Sequence, residues 1–517
     1  MAAGVLEIER SAVHVVEVAP DRPSRRTRLR QRWRAHRTDL AVLLPLLLVT
    51  AAVNAWNLQG WPGRVNDDEA TYVAQAWAMV AHGELAHYTY WYDHPFLGWA
   101  VIAGYAWLTD GFDRVPSAVM VGREAMLVTT VVSAALLYAL ARRLRFAPGW
   151  AALAVAVFAL SPLAVHYHRM VFLDNLATMW MLAALVAAAS PRRSIAAALW
   201  AAVWCAVAAL TKETIVILLP ALLWLLVRHT HRRTRLWSLG VFGVTLVSLV
   251  ASYPVFALLK NELLPGEGHV SLSWALWWQL FGRSGSGSLL DPDSGAFSLA
   301  MSWVNLDPWL LLGGVLLLIP GFCVARLRPV ALALAIQVVM MCRGGYLPFA
   351  YVIALLPFAA LLIGGVADAL WRVRGKARPV AAAVLVAALL AFAAVGVPHW
   401  VRDLRAQSTV EGDANSRAAT RWVLDNVPRD AVVVTDDYIW MDLRLAGYEK
   451  VVWLWKVDTD PEVMTELLPD GAASVRYVVM ADQAASTLAS LPTLDAAVRT
   501  STEVTRFGDV VIRRVTP

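Results

Sequence analysis

The chain has 517 residues, of which 59% are hydrophobic and 16% are charged, and its net charge is +6. Soluble proteins average about 45–50% apolar and about 25% charged residues, so this composition excludes a soluble globular enzyme, a coiled coil and a disordered protein. The basic residues lie between long apolar blocks, so they indicate membrane topology and not a nucleic-acid partner. The three cysteines lack the spacing of a zinc site or a disulfide framework.

The chain begins with an arginine-rich segment. Eight arginines and no acid lie between Arg22 and Arg37, and the apolar stretch that follows lacks a convincing signal-peptide cleavage site. Positive charge beside a span marks its cytoplasmic end. We therefore predict a cytoplasmic tail over residues 1–39 and a multi-pass protein of the plasma (inner) membrane.

The apolar blocks after this tail predict about eleven spans, because one span needs about 20 apolar residues. Arginines gather in alternate loops, which places those loops in the cytoplasm and the loops 59–117 and 259–302 outside. The spans are predicted near residues 40–58, 118–141, 149–166, 172–190, 194–211, 214–229, 236–258, 303–324, 329–343, 346–367 and 379–398.

The end of the chain differs from the rest in composition. After a membrane domain over residues 40–400, the sequence turns polar and alternates helix-like with strand-like segments. We expect residues 401–517 to form a small extracytoplasmic α/β domain. The predicted elements are a helix at Ala414–Asn426 and strands at Ala431–Val434, Tyr477–Met480 and Asp509–Val515.

One motif of this domain invites a functional interpretation. Asp436-Asp437-Tyr438 follows the first predicted strand, at the edge where α/β sheets bind ligands. A helix N-cap explains the same aspartates on backbone grounds and is the favoured interpretation.

Three consecutive acids, Asp67, Asp68 and Glu69, follow the first predicted span. Neighbouring carboxylates raise one another's pKa, which suits a general base or a metal site, although acids are also common at a helix N-terminus. An amphipathic stretch, Ala70–His82, and the apolar run Phe96–Leu108, which is too short to span, come next. They predict two horizontal helices that cover a cavity at the membrane edge.

These motifs resemble those of protein O-mannosyltransferases and aminoarabinose lipid A transferases, which are GT-C membrane glycosyltransferases of the family 39 type. Asp68-Glu69-Ala70-Thr71-Tyr72 is similar to the acidic motif of that family. Phe96 replaces the family's second proline, and the lysine that some relatives carry beside the proline pair is absent. Three further segments are similar: Asp93-His94-Pro95-Phe96-Leu97-Gly98, Arg169 with the following Asp174, and Leu210-Thr211-Lys212.

The resemblance implies a polytopic α-helical glycosyltransferase. It would move a sugar, with mannose mildly preferred, from a polyprenyl-phosphate donor to an external protein, lipid or glycan acceptor, with inversion. A carboxylate would deprotonate the acceptor hydroxyl: Asp68 is the first choice, Glu69 the second and Asp67 the third. The resemblance and the charges give as candidate ligands of the donor Tyr72, His94, Arg169, Asp174, Lys212, Arg343 and Tyr346.

Several of these residues also have a structural explanation. Arg169 is also explained as an arginine at the membrane interface whose side chain reaches water. Lys212 is also explained by a local ion pair with Glu213, and Arg343 as a lone arginine on the external side. Asp174 fits an ion pair with Arg169 as well as a contact with a sugar hydroxyl.

No cofactor is expected besides the lipid-linked sugar. A divalent ion at Asp67, Asp68 and Glu69 is an alternative that the sequence does not favour. A metal site at His166 and His168 is favoured still less, because residues two positions apart point to different faces of a helix. The alternative function is a membrane transporter or a lipid flippase of envelope precursors. Such proteins carry ionisable residues in mid-span and are built from inverted repeats. The sequence has few charges in mid-span and shows no repeat.

Overall fold

A computed structural model of the chain describes residues 25–63, 67–115, 117–267, 269–482 and 488–516, with side chains from residue 37 onward. The prediction of a cytoplasmic tail over residues 1–39 therefore falls mostly on residues whose side chains lie outside the described part of the chain. The described chain has a helical part, which ends near residue 407, and a C-terminal part that contains a β-sheet.

The helical part is built from apolar helices joined by short loops. Its α-helices are α1 (Arg25–Ala55), α2 (Asp68–Ala81), α3 (Leu97–Thr109), α4 (Gly111–Arg114), α5 (Ala118–Arg143), α6 (Pro148–Leu160), α7 (Pro162–Arg169), α8 (Leu173–Ala188), α9 (Ile195–Thr211), α10 (Leu219–Arg228), α11 (Arg235–Val250), α12 (Ser252–Leu259), α13 (Leu272–Trp277), α14 (Gly295–Leu306), α15 (Pro308–Leu316), α16 (Leu318–Cys323), α17 (Arg328–Cys342), α18 (Val352–Trp371), α19 (Arg378–Ala391) and α20 (Val397–Gln407).

Within the described residues, five helical segments are long and apolar enough to cross a membrane, and two bent helix pairs raise this number to seven. The apolar helices α3, α8, α9 and α17 are shorter, with 10–17 residues each. A helical membrane protein is therefore confirmed, whereas the predicted number of about eleven spans is not. The five segments are Arg37–Ala55, Ala118–Arg143, Arg232–Leu259, Phe349–Trp371 and Gly375–Gln407.

Two predicted spans, 149–166 and 303–324, fall on bent helix pairs. The structure bends the chain by 61° between α6 and α7 and by 111° between α14 and α15. A proline begins the second helix of each pair, and it keeps the preceding residue out of the helical conformation. That preceding residue, Ser161 or Asp307, caps the new helix by accepting a backbone N–H with its side chain.

The C-terminal part contains one five-stranded sheet with the order β2-β1-β3-β5-β4. The pairs of β1 with β2 and β3 are parallel, and β5 pairs antiparallel with β3 and β4. The elements are α21 (Ala414–Asn426), β1 (Val433–Thr435), α22 (Asp437–Leu445), β2 (Val451–Trp453), β3 (Tyr477–Ala481), α23 (Pro492–Arg499), β4 (Ser501–Phe507) and β5 (Val510–Val515).

The predicted elements of this part are observed, and α21 has the predicted bounds. The strands β2 and β4 were not predicted. The first has only three residues, too few for an alternating pattern, and the second is an edge strand whose side chains are mostly exposed.

The C-terminal part lies against the first loop of the helical part. The Tyr88 hydroxyl donates to the carbonyl of Val451 at 2.6 Å, and the Thr89 hydroxyl donates to Asp460 Oδ1 at 2.9 Å. The Gly412 N–H donates to the carbonyl of Gly60 at 2.8 Å. These bonds seat the sheet domain over α2 and the loop that follows it.

Candidate active site

The three acids at the start of α2 lie in three different environments. Asp67 is exposed, Asp68 is partly buried, and Glu69 is fully buried. Residues four positions apart share one face of a helix, so Asp68 shares a face with Tyr72, and Glu69 lies on the next face round. The two faces lead to two separate sets of partners.

Glu69 is held by an ion pair inside the protein. Nε and Nη2 of Arg123 donate to its two carboxylate oxygens at 2.8 and 3.0 Å, with Arg123 itself only 3% exposed. The backbone N–H of Val171 and the hydroxyl of Tyr438 also donate to this carboxylate, at 3.2 and 2.7 Å. With four donors on its two oxygens and no exposed surface, Glu69 fixes the start of α2.

Asp68 has the electrostatic environment of a general base. Burial is the main cause that raises the pKa of Asp68 to about 6; Lys212 and His94 oppose the shift, and the carboxylates of Asp67 and Asp93 add to it. A base with a pKa close to neutral both takes up and releases a proton at ordinary pH. Of the three acids, Asp68 therefore combines partial exposure with a suitable pKa.

The face of α2 that carries Asp68 meets a cluster of buried polar side chains. Nζ of Lys212 lies 2.7 Å from Nε2 of His94, and Nδ1 of His94 lies 3.2 Å from Oε2 of Glu213. Nζ of Lys212 is also 3.8 Å from Asp174 and 5.9 Å from the centre of the Tyr72 ring. Burial lowers the pKa of Lys212, but the surrounding carboxylates outweigh it and raise that pKa.

A close approach of α3 to the ends of α8 and α9 builds this cluster. A Cβ atom at Gly98 would lie 2.7 Å from Cδ2 of Leu173 and 3.1 Å from Cγ2 of Thr211. An alanine at this position would need the Leu173 side chain to shift, and longer side chains would also meet Thr211. The glycine of the predicted motif therefore brings His94, four residues earlier, to Lys212, which directly follows Thr211.

Arg169 does not pair with Asp174, as one reading of the sequence expects. Its guanidinium donates to the carbonyls of Trp61, Val53 and Trp56, at 3.1, 2.6 and 2.6 Å. These carbonyls lie in the last turn of α1 and just beyond it, where the carbonyls of a helix lack internal donors. Asp174 instead faces Lys212.

The cavity beside Arg169 has a volume of about 380 Å³. Apolar side chains form most of its wall, among them Val53 of α1 and Leu404 of α20, and Asp68 is not among the residues that line it. This cavity is therefore not the pocket that the sequence predicts beside the acids 67–69.

Arg343 and Tyr346 lie in the loop before α18. Arg343 is exposed, and the ring of Tyr346 packs against another arginine, Arg283, whose guanidinium carbon is 3.9 Å from the ring centre. The loop that contains Arg283 is joined to this segment by two hydrogen bonds of Ser286, with Gly345 and Leu347 as partners. A second cation besides Arg343, namely Arg283, thus lies against Tyr346.

The motif at the end of β1 acts as a cap and as a contact with α2. Asp436 caps α22 by accepting the N–H of Ile439 at 3.2 Å, as the N-cap interpretation expects. Asp437 accepts a hydrogen bond from Thr71, and Tyr438 donates to Glu69. The sheet edge at which α/β domains bind ligands therefore holds α2 in this chain.

Sequence reasoning missed three residues of this region: Arg123, Glu213 as a partner of His94, and Arg283. Arg123 had a usable signal, because an arginine inside an apolar span indicates a function or a partner. Among the residues that the structure describes, no three His, Cys, Asp or Glu side chains group in a way that would hold a metal ion.

Comparisons with known proteins were made on both sequence and structure. The family model described as dolichyl-phosphate-mannose-protein mannosyltransferase matches residues 93–257, a segment that contains His94, Asp174 and Lys212. No curated protein sequence matches the chain.

Two solved structures share the fold. ArnT from Cupriavidus metallidurans, bound to undecaprenyl phosphate, is 16% identical with a TM-score of 0.59, over 92% of this chain and 99% of its own. The oligosaccharyltransferase AglB from Archaeoglobus fulgidus, in complex with an inhibitory peptide and a dolichol-phosphate, is 13% identical with a TM-score of 0.56, over 89% of this chain and 72% of its own. At this identity the likeness concerns the fold. Together with the family match, it confirms the resemblance that the motifs indicate: the chain is similar to GT-C membrane glycosyltransferases of the mannosyltransferase and ArnT type.

Proposed function

We propose that this chain transfers a sugar from a polyprenyl phosphate to a hydroxyl group of an acceptor, with Asp68 as the general base. The observation that carries the proposal is the position of Asp68. This carboxylate is partly buried, has a pKa of about 6, and shares its helix face with Tyr72 at the Lys212–His94 cluster. The family match that begins at Asp93 supports the reaction class.

The proposed reaction is a single displacement. Asp68 takes the proton of the acceptor hydroxyl, and the acceptor oxygen forms a bond to the anomeric carbon. The bond between that carbon and the phosphate oxygen breaks, and the polyprenyl phosphate leaves with the electron pair. One displacement at the anomeric carbon inverts its configuration. The reaction needs a base on the acceptor side and positive charge on the side of the leaving group.

Lys212 is the proposed source of positive charge for the leaving phosphate. It is nearly buried, its pKa is raised by the surrounding carboxylates, and it therefore stays protonated. A charge in a site with little water interacts more strongly with a developing anion than the same charge in bulk water does. Arg283, Arg343 and Tyr346 are proposed as a second contact for the lipid phosphate, at the neighbouring loop.

The topology of the proposal follows the charges of the loops. The arginine-rich tail is cytoplasmic in a plasma (inner) membrane, and both α2 and the C-terminal part face the outside. ArnT and AglB were solved with polyprenyl-type phosphates, which supports a lipid-linked donor for this fold. The acceptor is proposed to be a protein, a lipid or a glycan of the cell envelope, with no nucleic acid involved.

Transfer by the purified protein tests the proposal. Undecaprenyl-phosphate mannose and undecaprenyl-phosphate arabinose serve as donors, and extracted envelope lipids, glycans and peptides serve as acceptors. We expect the wild type to transfer one sugar, and Asp68→Asn to reduce kcat by about 10²–10⁴-fold, the range of general-base catalysis. Asp113→Asn is the matched control, because Asp113 is an exposed acid of the same loop. Equal kcat values in wild type and Asp68→Asn would remove Asp68 from the reaction.

A further inference from the structure

We propose that Glu213 is a positioning residue, which fixes His94 in the one tautomer that accepts a hydrogen bond from the Lys212 ammonium group. The inference rests on the proposed function, because Lys212 is the cation assigned there to the leaving phosphate. Glu213 follows Lys212 in the chain, and sequence reasoning treats it as a local partner of that lysine. The structure gives it a different partner.

The distances indicate which atom carries the proton in each contact between Lys212, His94 and Glu213. A protonated lysine donates hydrogen bonds and accepts none, so Nε2 of His94, 2.7 Å from Nζ of Lys212, is the acceptor. A neutral imidazole with a free lone pair on Nε2 carries its proton on Nδ1. That nitrogen is 3.2 Å from Oε2 of Glu213, so the Nδ1–H donates to the carboxylate. The order of donation is Lys212 to His94 to Glu213.

The opposite tautomer would break the same chain of contacts. With the proton on Nε2, His94 would present an N–H to the ammonium group of Lys212, and two donors would face each other at 2.7 Å. Glu213 excludes this arrangement because a carboxylate accepts hydrogen bonds and donates none. The carboxylate therefore sets the side of the imidazole on which the lone pair is found.

His94 is a hydrogen-bond partner of Lys212, at 2.7 Å from Nζ. The Asp174 carboxylate is 3.8 Å from Nζ of Lys212, beyond an ordinary hydrogen bond. The imidazole is itself held in place: the Tyr90 hydroxyl donates to the His94 carbonyl at 2.8 Å, and the Tyr72 ring meets the imidazole edge-on at 6.0 Å. Glu213 completes this support from the remaining side.

The arrangement accounts for a departure from the family motif. The lysine that some relatives carry before or after the proline pair is absent here, and His94 and Trp99 stand at those places. His94, held by a carboxylate, instead contacts the ammonium group of Lys212, which directly follows α9. The cation beside this motif is then Lys212, supplied by another helix end.

Three variants test the inference: Glu213→Leu, Glu213→Gln and Lys212→Met. Leucine removes the acceptor, and we expect kcat to fall about 10–100-fold, as loss of a positioning contact does, with the acceptor KM within about twofold. Glutamine keeps an oxygen that accepts the Nδ1–H, and we expect it to retain kcat within about threefold. Glu449→Leu, at an exposed glutamate of the C-terminal part, is the control.

A double variant separates positioning from a general structural effect. If Glu213 acts through Lys212, then Glu213→Leu combined with Lys212→Met has the same kcat as Lys212→Met alone. Multiplied effects, or equal losses of kcat in the leucine and glutamine variants, would overturn the inference. If the wild type itself transfers no sugar, the proposed function fails first. The inference is then judged on the cryo-EM structure of Glu213→Leu, in which the distance from Nζ of Lys212 to Nε2 of His94 must exceed hydrogen-bond range, and an unchanged distance overturns it.

Discussion

The Tyr438 hydroxyl donates a hydrogen bond to Oε2 of Glu69 over 2.7 Å, and this bond joins the C-terminal part to the residue that follows the proposed base. The same oxygen accepts from Nη2 of Arg123 at 3.0 Å. One carboxylate thus links the sheet domain, α2 and α5. Because Asp68 directly precedes Glu69, its position depends on this link.

Tyr438→Phe removes the hydroxyl and leaves the ring. We expect the free energy of unfolding to fall by about 1–2 kcal/mol, since a buried hydrogen bond to a charged group is lost, and transfer to fall severalfold as the start of α2 loosens. Thermal unfolding in detergent and initial transfer rates measure the two effects. Tyr477→Phe, in β3, is the control, and an effect of equal size there would contradict the role of the Tyr438 contact.

Arg123→Met leaves the carboxylate of Glu69 buried without its main counter-charge. Removal of one partner from a buried ion pair costs about 3–5 kcal/mol, so we expect poor folding and a sharply lower unfolding temperature. Arg123→Met combined with Glu69→Gln removes the unpaired charge and should recover part of the loss. A double variant less stable than Arg123→Met alone would show that the pair is not what links these helices.

The rate of transfer should depend on pH through Asp68. Burial raises the pKa of Asp68 to about 6, and the base must be deprotonated, so kcat should rise about tenfold per pH unit below 6 and level off above it. Lys212→Met removes the charge that holds this pKa down, so the rising limb should move to higher pH. A limb that stays in place in this variant would argue against contact between the two groups.

The raised pKa of Asp68 also predicts how stability depends on pH: stability should fall with rising pH, whereas kcat rises. The folded protein holds the Asp68 proton more tightly than the unfolded chain, whose pKa is near 3.8, so stability is lost as pH rises from about 4 to about 6. Asp68→Asn should therefore unfold at a higher temperature than the wild type at pH 8. The difference should disappear below pH 4. A lower unfolding temperature of the variant at pH 8 would contradict the raised pKa.

Asp460→Ala should loosen the C-terminal part from the first loop. The Asp460 carboxylate accepts hydrogen bonds from Thr89, Trp91 and Lys456, at 2.9, 3.2 and 2.7 Å, and neither it nor Lys456 is exposed. Its loss leaves the Lys456 ammonium group buried without this partner. We expect a protease to cleave the variant faster than the wild type near residue 407, and gel electrophoresis measures the rate of cleavage. Asp470→Ala, at an exposed position, should cleave as the wild type does.

The sequence by itself determined the class of the protein and the identity of its proposed base. Long apolar blocks can be buried only in lipid or in a large helical core, and their lengths mark helices such as α5 and α18. The acids at residues 67–69 and the Asp93–Gly98 motif need no partner to be recognised. The alternating segments after residue 401 likewise follow from local periodicity, and α21 has the predicted bounds.

Only the tertiary structure decided what these residues touch. Glu69 meets Arg123 at a separation of 54 positions and Tyr438 at 369, and His94 meets Lys212 at 118. No local pattern encodes such pairings, because they arise when separate helices pack side by side. Packing gave the Glu69 carboxylate four buried donors and left Asp68 partly exposed on the neighbouring face of α2. Burial of the charges, which sets their pKa values, exists only once the helices have come together.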